Sequence, residues 1–196
     1  GKSLKWDWWH AGGNKFWEPV KFPATGTYTL LIDPWRWHTG SVSVDLWEAS
    51  DVTGQTITPS VEGGSVTSTI KVIGQQELIT FSGSKDQRFS LLIAEGTFGG
   101  AVTLYSPSGS QVTSETFAKG EKAFREPITL PATGTYTLLI DPTGEQTGSV
   151  KLTAYAFEDL SGSFSSIEDQ QKISIPVPGQ VEYKVEWFDP AGKSLK

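Results

Sequence analysis

Tryptophan, interleaved with a few polar side chains, is the residue type in this chain best equipped to do chemistry. The eight tryptophans stand at positions 6, 8, 9, 17, 35, 37, 47 and 187, so all but one fall near the start. Trp6, Trp8, Trp17, Trp35 and Trp37 have Asp7, His10, Asn14, Arg36 and His38 as polar neighbours in sequence. Indole presents a flat apolar face on which the C–H face of a sugar ring stacks, while nearby polar groups meet the hydroxyls. Rigid aromatics serve a protein interface equally well. The two chemistries to weigh are therefore a polysaccharide platform and an interface with a neighbouring domain or chain. A membrane-surface role is weaker, because a net charge of −6 offers no attraction to anionic lipid.

Catalytic and metal chemistry find less support. His10 and His38 are the only histidines, neither belongs to a metal-spacing motif, and a third ligand is missing, so both read as surface polar residues. Without cysteine there are no disulfides, thiolate metal sites or cysteine nucleophiles. Serine is plentiful but never sits in a Gly-x-Ser-x-Gly elbow; Ser-Gly-Ser at 82–84 and 161–163 reads as turn. Gly-rich phosphate loops are absent. Asp33 and Asp141 each precede a proline, which is turn chemistry, and calcium would need several oxygens converging. No carboxylate pair can be nominated for glycoside hydrolysis. The expectation is a protein that is not an enzyme, with no catalytic residues, no cofactor and no metal. Nucleic acid is disfavoured as a partner by the acidic balance. No run of about 18 apolar residues is present to span a membrane.

The elements that must position the tryptophans are organised by an internal repeat. Pro23-Ala-Thr-Gly-Thr-Tyr-Thr-Leu-Leu-Ile-Asp-Pro34 recurs without change at Pro131–Pro142, and Thr-Gly-Ser-Val follows at the same distance in both copies (39–42 and 147–150). Aligned 108 positions apart, as Pro23 is from Pro131, residues 1–54 fall on 109–162. Alternation predicts strands at 4–10, 16–22, 27–33 and 41–47 in the first copy, with Tyr28, Leu30 and Ile32 on one face. After a linker at Glu48–Gly54, it predicts strands at 65–73, 77–82, 87–95, 100–106, 111–117, 123–130, 135–141 and 148–156. Short strands at roughly ten-residue spacing signal a β-sandwich or jelly roll. A second linker is expected at Glu158–Gly162, then extended segments at 172–176 and 182–188.

The turn Phe188-Asp-Pro-Ala-Gly192 matches Tyr105-Ser-Pro-Ser-Gly109. The reading is therefore all-β, with an intact jelly-roll-like sandwich at 55–160 and a split one, whose back half is 1–50 and front half 163–196. Gly-Lys-Ser-Leu-Lys opens the chain and returns at 192–196. Together with the absence of methionine, this suggests a processed or excised window on a tandem array, although an engineered overlap or a circular permutation leaves the same trace. The split unit can close within one chain or between neighbouring copies. The two Gly-Lys-Ser-Leu-Lys segments match one strand slot, which favours the array.

The alignment also sorts the tryptophans. Trp9, Trp47 and Trp187 replace Phe117, Tyr155 and Leu104, and are assigned to packing. Trp6, Trp8, Trp17, Trp35 and Trp37 replace Ser114, Thr116, Arg125, Thr143 and Glu145, so they mark a surface that is apolar for a reason. Glu18 coincides with Glu126 and reads as scaffold.

The Ser-Pro-Ser-Gly turn followed by Leu-Pro-Ala-Thr-Gly-Thr-Tyr-Thr-Leu-Leu-Ile-Asp-Pro and a Gly-Ser-Val strand resembles the pre-peptidase C-terminal-type domains of bacteria, especially the tandem versions in long secreted and cell-surface proteins. The resemblance runs over most of 65–157 and, with fewer strands, over 163–196 joined to 1–50. It implies a jelly-roll-like sandwich, an extracellular or cell-surface setting and structural or adhesive work, and it transfers no functional residue. The expected function is a non-catalytic repeat that joins neighbouring copies end to end as a fibre, stalk or adhesin segment. A carbohydrate-binding module is the alternative.

Overall fold

The computed structural model describes residues 2–158, 174–175 and 177–179, together with the backbone of 187–188 and 194–195. Nine strands build one sandwich: β1 (Val52–Thr56), β2 (Gly64–Ile70), β3 (Glu77–Gly83), β4 (Arg88–Ala94), β5 (Gly100–Tyr105), β6 (Gln111–Phe117), β7 (Ala123–Thr129), β8 (Gly134–Pro142) and β9 (Gly148–Phe157). A two-residue pair follows, β10 (Trp187–Phe188) against β11 (Ser194–Leu195). No helix occurs among the described residues. The expected all-β sandwich is what forms.

Period-two alternation decides which side of each strand is dry. In β8, Tyr136, Leu138 and Ile140 are fully buried, while the intervening Thr137 and Leu139 are half-buried. They face Phe89, Leu91 and Ile93 of β4 and Val150, Leu152 and Ala154 of β9 in one core. Phe81 stacks on Phe89 at 4.9 Å and on Tyr136 at 5.3 Å between ring centroids.

The two sheets are ordered β1-β3-β8-β5-β6 and β2-β9-β4-β7. Within them, every ladder made by β6, β7, β8 or β9 runs to β2, β3, β4 or β5. The back half of the unit is thus interleaved with the front half and contains no ladder of its own. That order dictates the behaviour of residues 2–50, which correspond to β6–β9.

Three expectations are corrected here. The strands expected at 4–10, 16–22, 27–33 and 41–47 are not formed: residues 2–51 carry turns and extended chain but no ladder. The physical reason is the interleaving, since a back half by itself offers no strand a partner, and unpaired strands are not stable in water. The linker expected at Glu48–Gly54 contains the start of β1, which pairs in parallel with β3 through an irregular register. Its Val-Thr-Gly-Gln-Thr sequence has no apolar alternation to announce it. Trp9 and Trp47, assigned to packing, are 42% and 49% exposed because the core they would fill is not there. The side chain of Trp187 and most of the expected front half, 163–196, lie outside the described residues.

Candidate functional site

Residues 2–50, which by sequence correspond to β6–β9, carry many exposed apolar side chains and are called the half-unit below. Tyr28, Leu30 and Ile32 are 40%, 49% and 42% exposed, whereas their sequence-identical counterparts in β8 are fully buried. Val42, Val44 and Leu46 are likewise exposed where Val150, Leu152 and Ala154 are buried. The same sequence therefore meets core in one copy and solvent in the other.

Local geometry in the half-unit is nevertheless preset. The Tyr136 hydroxyl donates to the Ala132 carbonyl at 2.7 Å and accepts from the Ala132 N–H at 3.1 Å. Tyr28 does the same with Ala24 at 2.6 and 3.3 Å. This corner needs only five residues of chain, so it forms without a core. Phe22 stacks on Tyr28 at 4.2 Å, and the two line an open hollow of about 490 Å³ with Pro23, Ala24, Thr25 and Gly26.

A second preset contact joins the counterparts of β6 and β7. Lys15 Nζ lies 2.8 Å from Asp7 Oδ2, where the intact unit pairs Arg125 with Glu115 at 3.6 Å. The Lys15 hydrogen bond, followed by that from the Trp8 N–H, holds the Asp7 carboxyl below its ordinary range. Lys5 Nζ donates to the Glu18 carbonyl at 2.9 Å and lies 6.0 Å from the Trp17 ring. Partial burial first, and the negative Asp141 second, raise the Glu18 carboxyl above its ordinary value. Phe16 and Pro19 lie against Gly74 in the β2–β3 turn, so this part of the half-unit rests on the end of the intact sandwich.

The expected tryptophan site divides into two local groups. Trp8, 65% exposed, meets His10 edge-on at 5.0 Å, beside Asp7 and near the 77% exposed Trp6 in sequence; Trp17 is only half-buried. In the second group, Arg36 lies over both Trp35 and Trp37, 5.5 and 5.7 Å from their ring centroids, while His38 lies parallel to Trp37 at 6.3 Å. A turn closed by the His38 N–H to the Trp35 carbonyl at 3.1 Å holds this group, with Arg36 at φ 54°. Trp35 and Trp37 are 72% and 78% exposed. Each group offers indole beside a polar head, the pairing that suits either a saccharide or an interface. Among the described residues, no three His, Asp or Glu side chains gather as a metal centre, and no helix is long and apolar enough to cross a membrane.

The reading from sequence missed the contact made by the tail. Val177 is 1% exposed, the Pro178 carbonyl accepts from Ser90 Oγ at 3.4 Å, and Gly179 lies against Pro127 and Phe124. The segment is held across the outer side of β4 and β7. The fully buried Ser90, which lies opposite Tyr155 on that outer side, is its only trace in sequence: a small polar residue between the apolar positions of β4.

These features define a two-sheet all-β sandwich over β1–β9. No known protein family and no curated protein matches the sequence. Among solved structures, the chain is similar to a periplasmic inhibitor of g-type lysozyme from Aeromonas hydrophila, with 11% identity over 55% of this chain and 100% of that one and a TM-score of 0.40. It is also similar to the pre-peptidase C-terminal domain of a Bacillus anthracis collagenase, with 14% identity over 55% and 94% of the two chains and a TM-score of 0.40. A pilus protein of Bacillus endospore appendages is similar at 18% identity over 47% and 87%, with a TM-score of 0.25.

Proposed function

We propose that this protein is a non-catalytic structural or adhesive repeat of the bacterial cell surface or exterior, and that it joins neighbouring copies end to end. The observation that carries the reading is the contrast between Tyr136, Leu138 and Ile140, fully buried, and the identical Tyr28, Leu30 and Ile32, left 40–49% exposed. Five half-exposed side chains, counting Val42 and Val44, and the largely exposed Leu46 together represent roughly 5–9 kcal/mol of unused burial at about 1.5–3 kcal/mol per fully buried side chain. Ordering a completing segment offsets much of that, so the junction also draws on the backbone ladders that the back half lacks. Light scattering coupled to size-exclusion chromatography, with negative-stain microscopy, tests the reading. Species larger than the 21.3 kDa chain, growing with concentration into linear arrays, are expected; a clean monomer at all concentrations contradicts it.

A second reading is favoured by the Trp35–Arg36–Trp37 group, which stays exposed on a turn beyond the repeated segment. There the half-unit holds polysaccharide, with the indoles as stacking faces and Arg36 and His38 as polar partners. A glycan array on the wild type and on Trp35→Ala and Trp37→Ala variants tests this. Binding that survives both substitutions removes the site.

A further inference from the structure

We propose that the contact of Phe16 and Pro19 with Gly74 and the contact of Phe124 and Pro127 with Gly179 are two occurrences of one joint, in which a Phe-x-Glu-Pro segment clasps the next Val-x-Gly turn along the chain and sets successive sandwich units at one fixed angle. The inference rests on the reading of end-to-end joining and names the contact that holds the join.

The two glycines show the contacts to be alike atom for atom. A Cβ on Gly74 would come within 3.0 and 3.6 Å of Pro19 Cγ and Cδ, and within 3.8 Å of Phe16 Cζ. A Cβ on Gly179 would come within 2.6 and 2.7 Å of Pro127 Cγ and Cδ, and within 3.4 Å of Phe124 Cζ. The three nearest atoms are thus the same, in the same order. In each place the glycine backbone lies against a proline ring with the tip of a phenyl ring beside it, which leaves little or no room for a side chain. The backbone shape agrees as well: φ is 79° at Gly74 and 76° at Gly179, a region that glycine enters at no steric cost.

The turns that carry these glycines are of one kind. The Gln75 N–H donates to the Val72 carbonyl at 3.0 Å and closes residues 72–75, with Gly74 in the third place, where a type II turn requires a positive φ. The sequence Val-Pro-Gly-Gln at 177–180 has proline second and glycine third, the residues that such a turn favours.

The internal repeat does not by itself produce the match. Phe16 and Pro19 recur 108 positions on as Phe124 and Pro127, but the two turns stand 105 apart and lie outside the repeated stretch. Gly74 comes 55 positions after Pro19 and Gly179 comes 52 after Pro127, so each clasp reaches forward over nearly the same length of chain. Within the clasp only the residue after phenylalanine differs, Trp17 against Arg125, whereas the atoms nearest each glycine belong to the shared phenylalanine and proline.

The joints differ in completeness for a reason that the fold supplies. At the second, Ser90 Oγ of β4 also donates to the Pro178 carbonyl at 3.4 Å, and Val177 is 1% exposed. At the first, no described strand stands beside Phe16–Pro19 as β4 stands beside β7, and Val72 is only half-buried. Units tied by plain linkers move relative to one another by default. A clasp repeated at every boundary turns such a string into a rod with one repeated step.

The chain lacks cysteine, so spin labels can be placed in equivalent pairs across the two joints. Lys21→Cys with Thr69→Cys spans the first, and Thr129→Cys with Ser174→Cys spans the second; all four positions are exposed. Dipolar electron paramagnetic resonance on the two full-length labelled proteins is expected to give a single distance in each, the same in both. Pro19→Ala is expected to broaden the first distribution at least twofold and leave the second unchanged, and Pro127→Ala to do the reverse. Pro19 lies outside the sandwich, so its variant reads the clasp without loss of the fold. Two unlike distances, a dispersed distance in either unsubstituted pair, or a distribution that Pro19→Ala leaves unmoved overturns the inference. Light scattering on the same proteins tests the joining of copies separately. Assembly with dispersed distances overturns the joint while end-to-end joining stands, and equal sharp distances in a protein that stays monomeric uphold the joint within the chain and remove joining between copies.

Discussion

The identical hydrogen-bonded corners at Tyr28 and Tyr136 allow one substitution to be made twice in one molecule with opposite expected outcomes. Tyr136→Phe removes a 2.7 Å bond to the Ala132 carbonyl and strands the Ala132 N–H, which reaches the hydroxyl at 3.1 Å, next to a fully buried ring. The loss is worth about 2 kcal/mol, since each bond contributes about 0.5–1.5 and a stranded partner costs more. In a unit of about 100 residues this lowers Tm by roughly 10 °C. Tyr28→Phe removes the same two contacts at a ring that is 40% exposed, where water replaces the hydroxyl. Its cost in the dilute monomer stays within about 0.5 kcal/mol. The assay is convenient because the intact unit holds no tryptophan: far-UV circular dichroism follows its unfolding, while indole emission reports on the flanking segments. On assembly the Tyr28→Phe penalty emerges, weakening each junction by about 2 kcal/mol, roughly 30-fold in Kd. Equal losses for the two variants in dilute monomer refute the reasoning, because they mean that the half-unit is already closed.

Gly134 and its counterpart Gly26 give a parallel contrast: Gly134→Ala collides with Pro107 and has a strained φ, lowering the intact unit's stability by about 1–3 kcal/mol in urea titration. Gly26→Ala leaves the dilute monomer unchanged and weakens assembly in light scattering. For Glu18 the folded-state carboxyl is raised, by partial burial first and the negative Asp141 second, so the stability tied to its neutral form is present below the ordinary value of 4.5 and is lost as pH rises through the raised one. With 5-fluorotryptophan, the ¹⁹F resonance of Trp17 should shift over that interval in the wild type and stay flat in Glu18→Gln. Finally, Val177→Ala loosens the segment over Ser90 by about 1–2 kcal/mol, and limited proteolysis should then cut near 177–179 faster while the Tm of the intact unit barely moves.

Strands with a partner in place were legible in the sequence almost to the residue: Glu77–Gly83, between two neighbours, and the edge strand Gln111–Phe117 follow directly from alternation between turn residues. Alternation records the surroundings a strand is suited to, not whether those surroundings exist. Thr27–Asp33 has the same pattern as Thr135–Asp141, yet only the second is a strand, because the partners of β8 are β3 and β5. That requirement lies in the interleaved sheet order, which no local window contains. β1 was hidden for the opposite reason: at a sheet edge, with exposed Thr53 and Gly54, it needs no apolar period. In the candidate site, the sequence picked out Trp35 and Trp37 by comparison with Thr143 and Glu145. It could not foresee Arg36 between the two indoles, since that follows from the positive φ of one turn residue.

Amide hydrogen exchange at Thr29 and Leu31, resolved by NMR and followed as the protein is concentrated, tests most directly whether the half-unit is completed by a second copy. Thr137 and Leu139, in the identical sequence of β8, supply the internal reference and stay protected throughout. The account predicts fast exchange at 29 and 31 in dilute solution, and protection approaching that of 137 and 139 as copies associate. Protection at 29 and 31 that is independent of concentration, or fast exchange at every concentration, contradicts it.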